Sequence, residues 1–301
     1  PFATDARVDV TFRTENGTRR PDRLQGVDIL RRSRLVIPVH RYAVRAERVA
    51  VEVTASAGRI VAAQTIVYTP LSGTTGLATS LGAPAAAGHW WIAGVGRDDA
   101  TSSWVALSGI GDAAAQVTVQ ALPSGGPPVP PVTIGVGSDE VAWVRLGGCS
   151  GDDPCIPLAP GGRYGLDVRS DREVPFVAEV LTRADPGSGR RGAAVLMGTA
   201  VPAPRWALAA TAVRRASGPT RVAVANPGSN AVRVTVATLA GAGRAATRRE
   251  VTVPAGRQAV VALPGNGPDT GAVVDANAPV VVGRAISGGE DPSTASGVRW
   301  P

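Results

Sequence analysis

An internal repeat of short strands is the feature that most constrains what this chain can fold into. The clearest copy runs from Trp206 to Ala285, where seven apolar segments are separated by turn residues such as Asn226 to Gly228. Val232 to Val236 alternates apolar and polar residues, which is typical of a half-buried strand. Seven short strands with turns between them predict an antiparallel β-sandwich.

A second copy precedes this one at a nearly constant distance. Trp90 and Trp206, which each open a copy, lie 116 positions apart. The glycines of the connectors repeat at the same distance: Gly76 and Gly82 recur as Gly192 and Gly198. Because a fixed period identifies the folding unit, the connectors belong to that unit. We therefore expect an all-β protein of tandem immunoglobulin-like antiparallel sandwiches stacked in a rod.

The first copy is incomplete. Its predicted strands are Val8 to Phe12, Val27 to Ile29, Leu35 to Val39, Arg48 to Thr54 and Ile60 to Tyr68. Nothing before them corresponds to the strand that begins with Trp or to the strand after it. Two interpretations stay open: the chain is cut inside this domain, or a partner donates the missing strand to an open sheet edge. The copies predict domains at residues 1–84, 85–202 and 203–301.

The net charge is +7, and all 31 basic residues are Arg because the sequence contains no Lys. This excludes sites that need a lysine amine, such as a Gly-Lys-Ser/Thr phosphate loop or a Schiff-base lysine. The Arg pairs are scattered and are not interleaved with aromatic residues, so nucleic acid is not an expected partner. A GC-rich genome explains so much Arg, and attraction to an anionic cell-wall glycan is the functional alternative. No apolar run reaches the roughly 18 residues of a membrane-spanning helix, so we expect no membrane span in this segment.

Both cysteines lie in an insertion of the middle copy at residues 147–162, which the third copy lacks. Cys149 and Cys155 flank a turn rich in Gly and Pro, and we predict that they form a disulfide, which implies an extracytoplasmic location. Two reduced thiols or a pair of metal ligands are the alternatives, although two ligands do not make a zinc site. Asp152 and Asp153 lie between the cysteines without the alternating spacing of a calcium loop, so we interpret them as a solvated acidic turn and predict no metal site.

The tryptophans fall into two groups. Most occupy positions where sister copies also have strand residues, which predicts packing in a core or between domains. Trp91 has no aromatic counterpart in the third copy and Trp300 lies near the last residue, so these two are candidates for an exposed sugar-binding surface. Arg190 and Arg191, in the connector after the middle copy, are the candidate cationic residues of that surface.

No catalytic constellation stands out in the sequence. The two histidines, His40 and His89, lie in different copies, and there is no Gly-x-Ser-x-Gly elbow. An enzyme would need a cleft between domains that is lined by His89 and by carboxylates such as Asp98 and Asp99. We predict no catalytic residues, no cofactor and no enzymatic activity.

Four stretches of strand and turn carry a family resemblance: Val224 to Pro227, Val232 to Val236, Val251 to Gly256 and Ala278 to Val282. Their order resembles an uncharacterised family of exported actinobacterial proteins with tandem immunoglobulin-like repeats. The resemblance covers most of residues 85–288 and, more loosely, residues 6–68. It implies a secreted or envelope location, and it supplies no activity and no catalytic residues.

Three hypotheses about function follow. The leading one is a non-enzymatic extracytoplasmic scaffold or protein-binding module of the cell envelope. Its candidate binding loop is the Cys insertion, which only the middle copy has, with Asp152 and Asp153 as candidate binding residues. The alternative is recognition of cell-wall glycan through Trp91, Arg190 and Arg191. The third is a hydrolase with a site between domains.

Overall fold

The computed structural model describes residues 4–69, 75–209, 220–239, 247–263, 271–286 and 293–299. Within these ranges the chain is all-β, and its helical residues are confined to 3-10 turns at Asp22–Leu24, Val39–Arg41 and Asp171–Glu173. The first copy contains β1 (Ala6–Thr14), β2 (Gly17–Arg19), β3 (Val27–Ile29), β4 (Val49–Ala57), β5 (Ala63–Tyr68) and β6 (Gly76–Leu81).

The middle copy contains β7 (His89–Gly96), β8 (Thr101–Gly109), β9 (Ala115–Pro123), β10 (Val132–Val136), β11 (Val141–Leu146), β12 (Cys155–Ile156), β13 (Arg163–Ser170), β14 (Phe176–Ala184) and β15 (Ala193–Met197). The third contains β16 (Ala203–Leu208), β17 (Thr220–Asn226), β18 (Val232–Leu239), β19 (Arg248–Val253), β20 (Arg257–Ala262), β21 (Gly271–Ile286), β22 (Ser293–Ser296) and β23 (Val298–Arg299).

The strands of the middle copy form a sandwich of two sheets, with the orders β10-β9-β13-β7 and β12-β11-β8-β14-β15. Alternation along β9 places Val117 and Val119 on the inner face, where both are fully buried. Trp90 packs into the same core at the start of β7. Its indole N–H donates to the backbone carbonyls of Ala87 and Phe176, so this large polar side chain is buried with its donor satisfied.

The third copy repeats this strand order. Its sheets run β19-β18-β21-β16 and β20-β17-β21-β22, and the long strand β21 takes the places of both β13 and β14. Trp206 is the counterpart of Trp90, and its indole N–H donates to the carbonyls of Ala203 and Val280. The two copies therefore share a hydrogen-bonded tryptophan as well as a strand order.

The first copy forms one sheet and a separate hairpin. β2, β3 and β4 all pair with β1, and β5 pairs with β6. The predicted strand from Leu35 to Val39 is wrong, because residues 35–38 are irregular and a 3-10 turn begins at Val39. The strand at this place in the middle sandwich is β11, which pairs with β8. The described part of the first copy has no counterpart of β8, so residues 35–39 have no strand to pair with.

The middle and third sandwiches pack face to face along a layer of small residues, which we call the seam. Its buried residues are Ala93, Leu122, Ala223, Ala225 and Val281. A Cβ atom on Gly283 would lie only 2.1 Å from the carbonyl oxygen of Ala93, and one on Gly165 would lie 2.9 Å from the Cβ of Ala225. Glycine at these positions lets β7 lie directly against β17 and β21.

The first copy contacts the middle sandwich through a buried arginine. Arg13 donates to Asp139 of the middle sandwich at 2.9 and 2.7 Å, and it also pairs with Glu52 on β4. Although burial opposes the charge, hydrogen bonds with Glu52 and Asp139 raise the pKa of Arg13. The matched connector glycines are in contact as well, because a Cβ on Gly76 would lie 2.3 Å from the Cα of Gly192.

Candidate functional site

Four loops meet at one end of the middle sandwich, which we call the loop end. They are residues 97–100, 124–131, 147–162 and 185–192, and each follows or precedes a strand at this end. The backbone hydrogen bonds that join them run from Arg97 to Gly162, from Ser124 to Arg163 and from Asp185 to Ala100. Loops gathered at one end of a rigid sandwich are where recognition residues are commonly placed.

The Cys insertion is anchored to the sandwich on both sides of its disulfide. Cys149 and Cys155 form the disulfide, with Cα atoms 5.5 Å apart. β12, which begins at Cys155, pairs with β11 as a parallel strand. Ile156 and Leu158 then enter the hydrophobic core of the middle sandwich, where they are 0% and 3% exposed. The insertion is thus a structured part of the domain.

Asp152 and Asp153 stand exposed at the tip of the insertion. The side chain of Arg97 crosses Gly147, the first residue of the insertion. A Cβ atom on Gly147 would lie 2.4 Å from the Arg97 Nε, and φ of Gly147 is +77°. The Nη2 atom of Arg97 lies 3.6 Å from Asp99 Oδ1. Its Nη1 atom is buried and has no hydrogen-bond partner among the residues that the structure describes.

Arg190 reaches from the loop at residues 185–192 to the turn between β7 and β8. Its Nη1 donates to Asp98 Oδ2 at 2.7 Å. The other oxygen of Asp98 accepts from the Ala100 N–H and the Thr101 hydroxyl, so the carboxylate is held in one orientation. Arg190 and Asp98 keep 45% and 40% of their side chains exposed, so the pair adds little stability and is open to a ligand. Arg191 is exposed next to it.

Arg163 links the loop end to the third sandwich. Burial lowers the pKa of this guanidinium, the charges of Arg221 and Arg190 lower it further, and the charge of Asp98 opposes them. Arg221 belongs to β17 of the third sandwich. The guanidinium groups of Arg190 and Arg221 therefore each lie within electrostatic reach of Arg163. Such a cluster favours anionic groups of a ligand.

Trp91 lies at the seam, away from the loop end. It is half-buried, packs against the seam residues, and contacts the ring of His89 at a tilt of 30°, with ring centroids 3.7 Å apart. Its indole N–H is buried and unpaired within the described residues. The structure therefore does not bring Trp91 together with Arg190 or Arg191. The other candidate of this kind, Trp300, lies outside the described residues.

The residues considered for an enzyme are also separated. His89 Nε2 lies 2.7 Å from Asp167 Oδ1 of the neighbouring strand. Asp98 and Asp99 follow the opposite end of β7, a strand of roughly 25 Å at the usual rise per residue. His40 is exposed in the first copy. His89, Asp98 and Asp99 thus do not line a common cleft.

In the ranges that the structure describes, no three His, Cys, Asp or Glu side chains are grouped so as to hold a metal ion. None of the described helices has the length and apolar character needed to cross a membrane.

Three arginines of the loop end are not predicted from the sequence: Arg97, Arg163 and Arg221. Arg97 directly precedes the Asp98-Asp99 pair in the same turn, and this adjacency was the available signal. Arg163 and Arg221 belong to different copies and come together only because the sandwiches pack face to face. No local pattern in the sequence connects them.

Comparison with known proteins adds a family but no activity. The model of a family of unknown function matches residues 1–264 of the chain. No curated protein and no solved structure matches the chain.

Proposed function

The chain belongs to the family of unknown function DUF5719, and for this member we propose a non-enzymatic role in binding outside the cytoplasm. In this proposal the protein consists of tandem immunoglobulin-like sandwiches and acts as a scaffold or protein-binding module of the cell envelope. The loop end of the middle sandwich is its recognition surface.

The observation that carries the proposal is the anchoring of the Cys insertion at the loop end. The insertion is specific to the middle copy, and its disulfide and buried residues Ile156 and Leu158 hold it in place. The exposed tip with Asp152 and Asp153 is therefore presented in a fixed geometry. Preorganisation of this kind lowers the entropy cost of binding.

The charges of the loop end support a protein partner. Asp152 and Asp153 supply exposed negative charge, while Arg190 and Arg191 supply exposed positive charge. Opposite charges at fixed positions confer specificity on a protein interface. The partner should present a basic group to the tip of the insertion and an acidic group to the two arginines.

Recognition of an anionic cell-wall glycan is the second candidate function. The observation that favours it is that Arg190 and Arg221 each act electrostatically on Arg163, with Asp98 as the offsetting charge. Trp91 supports this candidate less, because it is packed at the seam. A glycan would therefore bind through its anionic groups and not by stacking of its sugar rings.

An extracytoplasmic location and a tandem arrangement belong to the same proposal. The disulfide between Cys149 and Cys155 supports the location, because disulfides persist in oxidising compartments. The shared strand order of the middle and third sandwiches supports tandem immunoglobulin-like copies. The close approach of Gly283 to Ala93 supports stacking in one fixed orientation.

The test uses substitutions at the surface of the loop end. Deleting the whole insertion would remove Ile156 and Leu158 from the core, so its result would not report on binding alone. One variant carries Asp152→Asn and Asp153→Asn, and a second carries Arg190→Gln and Arg191→Gln. Each is immobilised and exposed to envelope protein extracts and, separately, to purified wall glycans.

We expect the first variant to lose a protein that the unchanged chain captures, and the second to weaken glycan capture if the second candidate holds. The matched control is Asp112→Asn, an exposed acidic residue in the turn between β8 and β9 at the opposite end of the sandwich. Capture that is equal in both variants and the control would contradict a role for the loop end.

A further inference from the structure

The rim of the seam carries two arginines that come from different sandwiches. Along β13, Gly165 faces the third sandwich, and the alternation of the strand places Arg163 on the same face. Along β17, Ala223 and Ala225 are buried in the seam, and alternation places Arg221 on their face. Each arginine therefore lies beside the small residues of the seam, at the point where the close packing of the two sheets stops.

Gly96 provides the space that the Arg163 guanidinium occupies. The two residues pair in the ladder between β7 and β13, and a Cβ atom on Gly96 would lie 2.3 Å from Arg163 Nη1. Within the described residues, Arg163 makes no hydrogen bond and no ion pair, and none of its nitrogen atoms is buried without a partner. The donors of this half-buried side chain are therefore accessible to a ligand.

The charges around Arg163 are not balanced. Arg190 and Arg221 each act electrostatically on Arg163, and the opposing charge is that of Asp98. The Asp98 carboxylate already accepts a hydrogen bond from Arg190 Nη1 at 2.7 Å. Three guanidinium groups and one carboxylate leave an excess of two positive charges. Repulsion between like charges raises the free energy of the folded protein, and a bound anion relieves it.

We propose that Arg163, Arg190 and Arg221, which we call the arginine rim, bind a phosphate monoester group or inorganic phosphate between the middle and third sandwiches. Such a group carries a charge of about −1.5 to −2 at pH 7, which matches the excess at the rim. Its oxygen atoms accept paired hydrogen bonds from the planar fork of a guanidinium. This inference rests on the second candidate function, because a phosphorylated sugar would be the part of the glycan that binds here.

Binding at the arginine rim would also hold the seam together. Arg163 and Arg190 belong to the middle sandwich and Arg221 belongs to the third, so one phosphate group joins the two domains. A ligand that binds only the packed arrangement stabilises that arrangement. We therefore expect phosphate to slow amide exchange in β7 and β17, which meet at the seam, with β10 of the middle sandwich as the internal reference.

Isothermal titration calorimetry on the full chain tests the proposal with three probes at one ionic strength set by chloride. The probes are inorganic phosphate, glucose 1-phosphate and dimethyl phosphate, of which the last carries a single charge. We expect the first two to bind about tenfold or more tightly than dimethyl phosphate, because the second charge adds to the attraction. Tighter binding of glucose 1-phosphate assigns the group to a phosphorylated sugar, and equal or weaker binding assigns it to the free ion.

Two substitutions locate the site. Arg163→Gln and Arg221→Gln should each weaken the binding of inorganic phosphate by about tenfold or more, because each removes a charged hydrogen-bond donor. Arg169→Gln is the matched control, at an exposed arginine near the other end of β13 and on the same face as Arg163. Without phosphate, both rim variants should be at least as stable as the unchanged chain, because a repulsive charge has been removed, and urea denaturation measures this.

Three results would overturn the proposal: no saturable binding of inorganic phosphate or glucose 1-phosphate, equal affinity for all three probes, or equal weakening in Arg169→Gln. The first two are measured on the unchanged chain and do not depend on any variant. The glycan candidate fails or stands separately. Loss of glycan capture in the variant with Arg190→Gln and Arg191→Gln, without phosphate binding, keeps that candidate and rejects the phosphate site. Phosphate binding with unchanged glycan capture supports the site with the free ion as its ligand.

Discussion

The side-chain oxygen of Gln258 accepts a hydrogen bond from the backbone N–H of Gly94 at 2.9 Å, across the seam between two sandwiches. The pairing of β7 with β13 shifts register between Tyr164 and Gly165, which produces a β-bulge. Gly94 occupies the bulge with φ at +95° and has no partner in that ladder. A glutamine of the third sandwich thus satisfies a donor that a bulge of the middle sandwich leaves free.

Replacing Gln258 tests this contact. Gln258 is 2% exposed, so Gln258→Leu leaves the Gly94 N–H buried without an acceptor. We expect the free energy of unfolding to fall by about 1 to 2 kcal/mol, the usual effect of an unsatisfied buried donor. Urea denaturation measures it. Gln116→Leu, at an exposed glutamine on β9, is the control, and equal stability of the two variants would contradict the role of Gln258.

Gly283→Ala tests how closely the seam is packed. The added methyl group would lie 2.1 Å from the Ala93 carbonyl oxygen, which is part of a strand and cannot move alone. We expect a loss of about 1 to 3 kcal/mol in unfolding free energy, as in other overpacked sites, and faster amide exchange in β7. The control is Gly125→Ala, because a Cβ atom there meets nothing within 4 Å. Equal unfolding free energies of Gly283→Ala and Gly125→Ala would contradict close packing at the seam.

The free energy of unfolding should depend on pH because of the buried Glu179. Burial raises its pKa from 4.5 to about 7, against the effect of the hydrogen bond that Gln64 donates. The folded protein therefore holds a proton that the unfolded chain releases between pH 4.5 and about pH 7. Stability should fall as pH rises through this window and then level off.

Glu179→Gln should remove this slope. At pH values above the folded pKa, we expect the variant to be more stable than the unchanged chain by on the order of 2 kcal/mol. Urea denaturation across the window measures both chains, and Glu47→Gln, at an exposed glutamate, is the control. An unchanged slope in Glu179→Gln would show that another group titrates.

Loss of the disulfide should loosen the insertion without unfolding the middle sandwich. Cys149→Ser with Cys155→Ser removes a short ring, for which loop entropy predicts about 2 kcal/mol or slightly more. Ile156 and Leu158 remain in the core and continue to anchor the segment. We expect a lower melting temperature and faster exchange at residues 150–154. Reductant should have the same effect on the unchanged chain and none on the variant, and a variant as stable as the oxidised chain would contradict the prediction.

Local sequence patterns predicted most strands because alternation is itself local. The segment Val232 to Val236 became part of β18, and Val8 to Phe12 became part of β1. Leu35 to Val39 has a similar alternation but forms no strand. A strand is completed by the hydrogen bonds of its neighbour, and this neighbour is missing from the described first copy.

For the candidate site, sequence spacing could predict only contacts between residues that are close together in the sequence. Cys149 and Cys155 lie six positions apart, so their pairing could be predicted. The contact of Arg190 with Asp98 spans 92 positions and had no local signal. The sequence makes Trp91 a candidate for an exposed sugar-binding surface, but in the structure it is half-buried at the seam.

The sequence by itself determined the all-β class, most of the strands and the short disulfide ring, because each depends on neighbouring residues. Only the tertiary structure decided which faces meet, since Gly94 and Gln258 are 164 positions apart and nothing in either segment specifies the other. The face-to-face seam also brings Arg221 of the third sandwich to Arg163 of the middle one. Charges and small residues of distant segments acquire their roles only once hydrophobic burial has packed the sheets together.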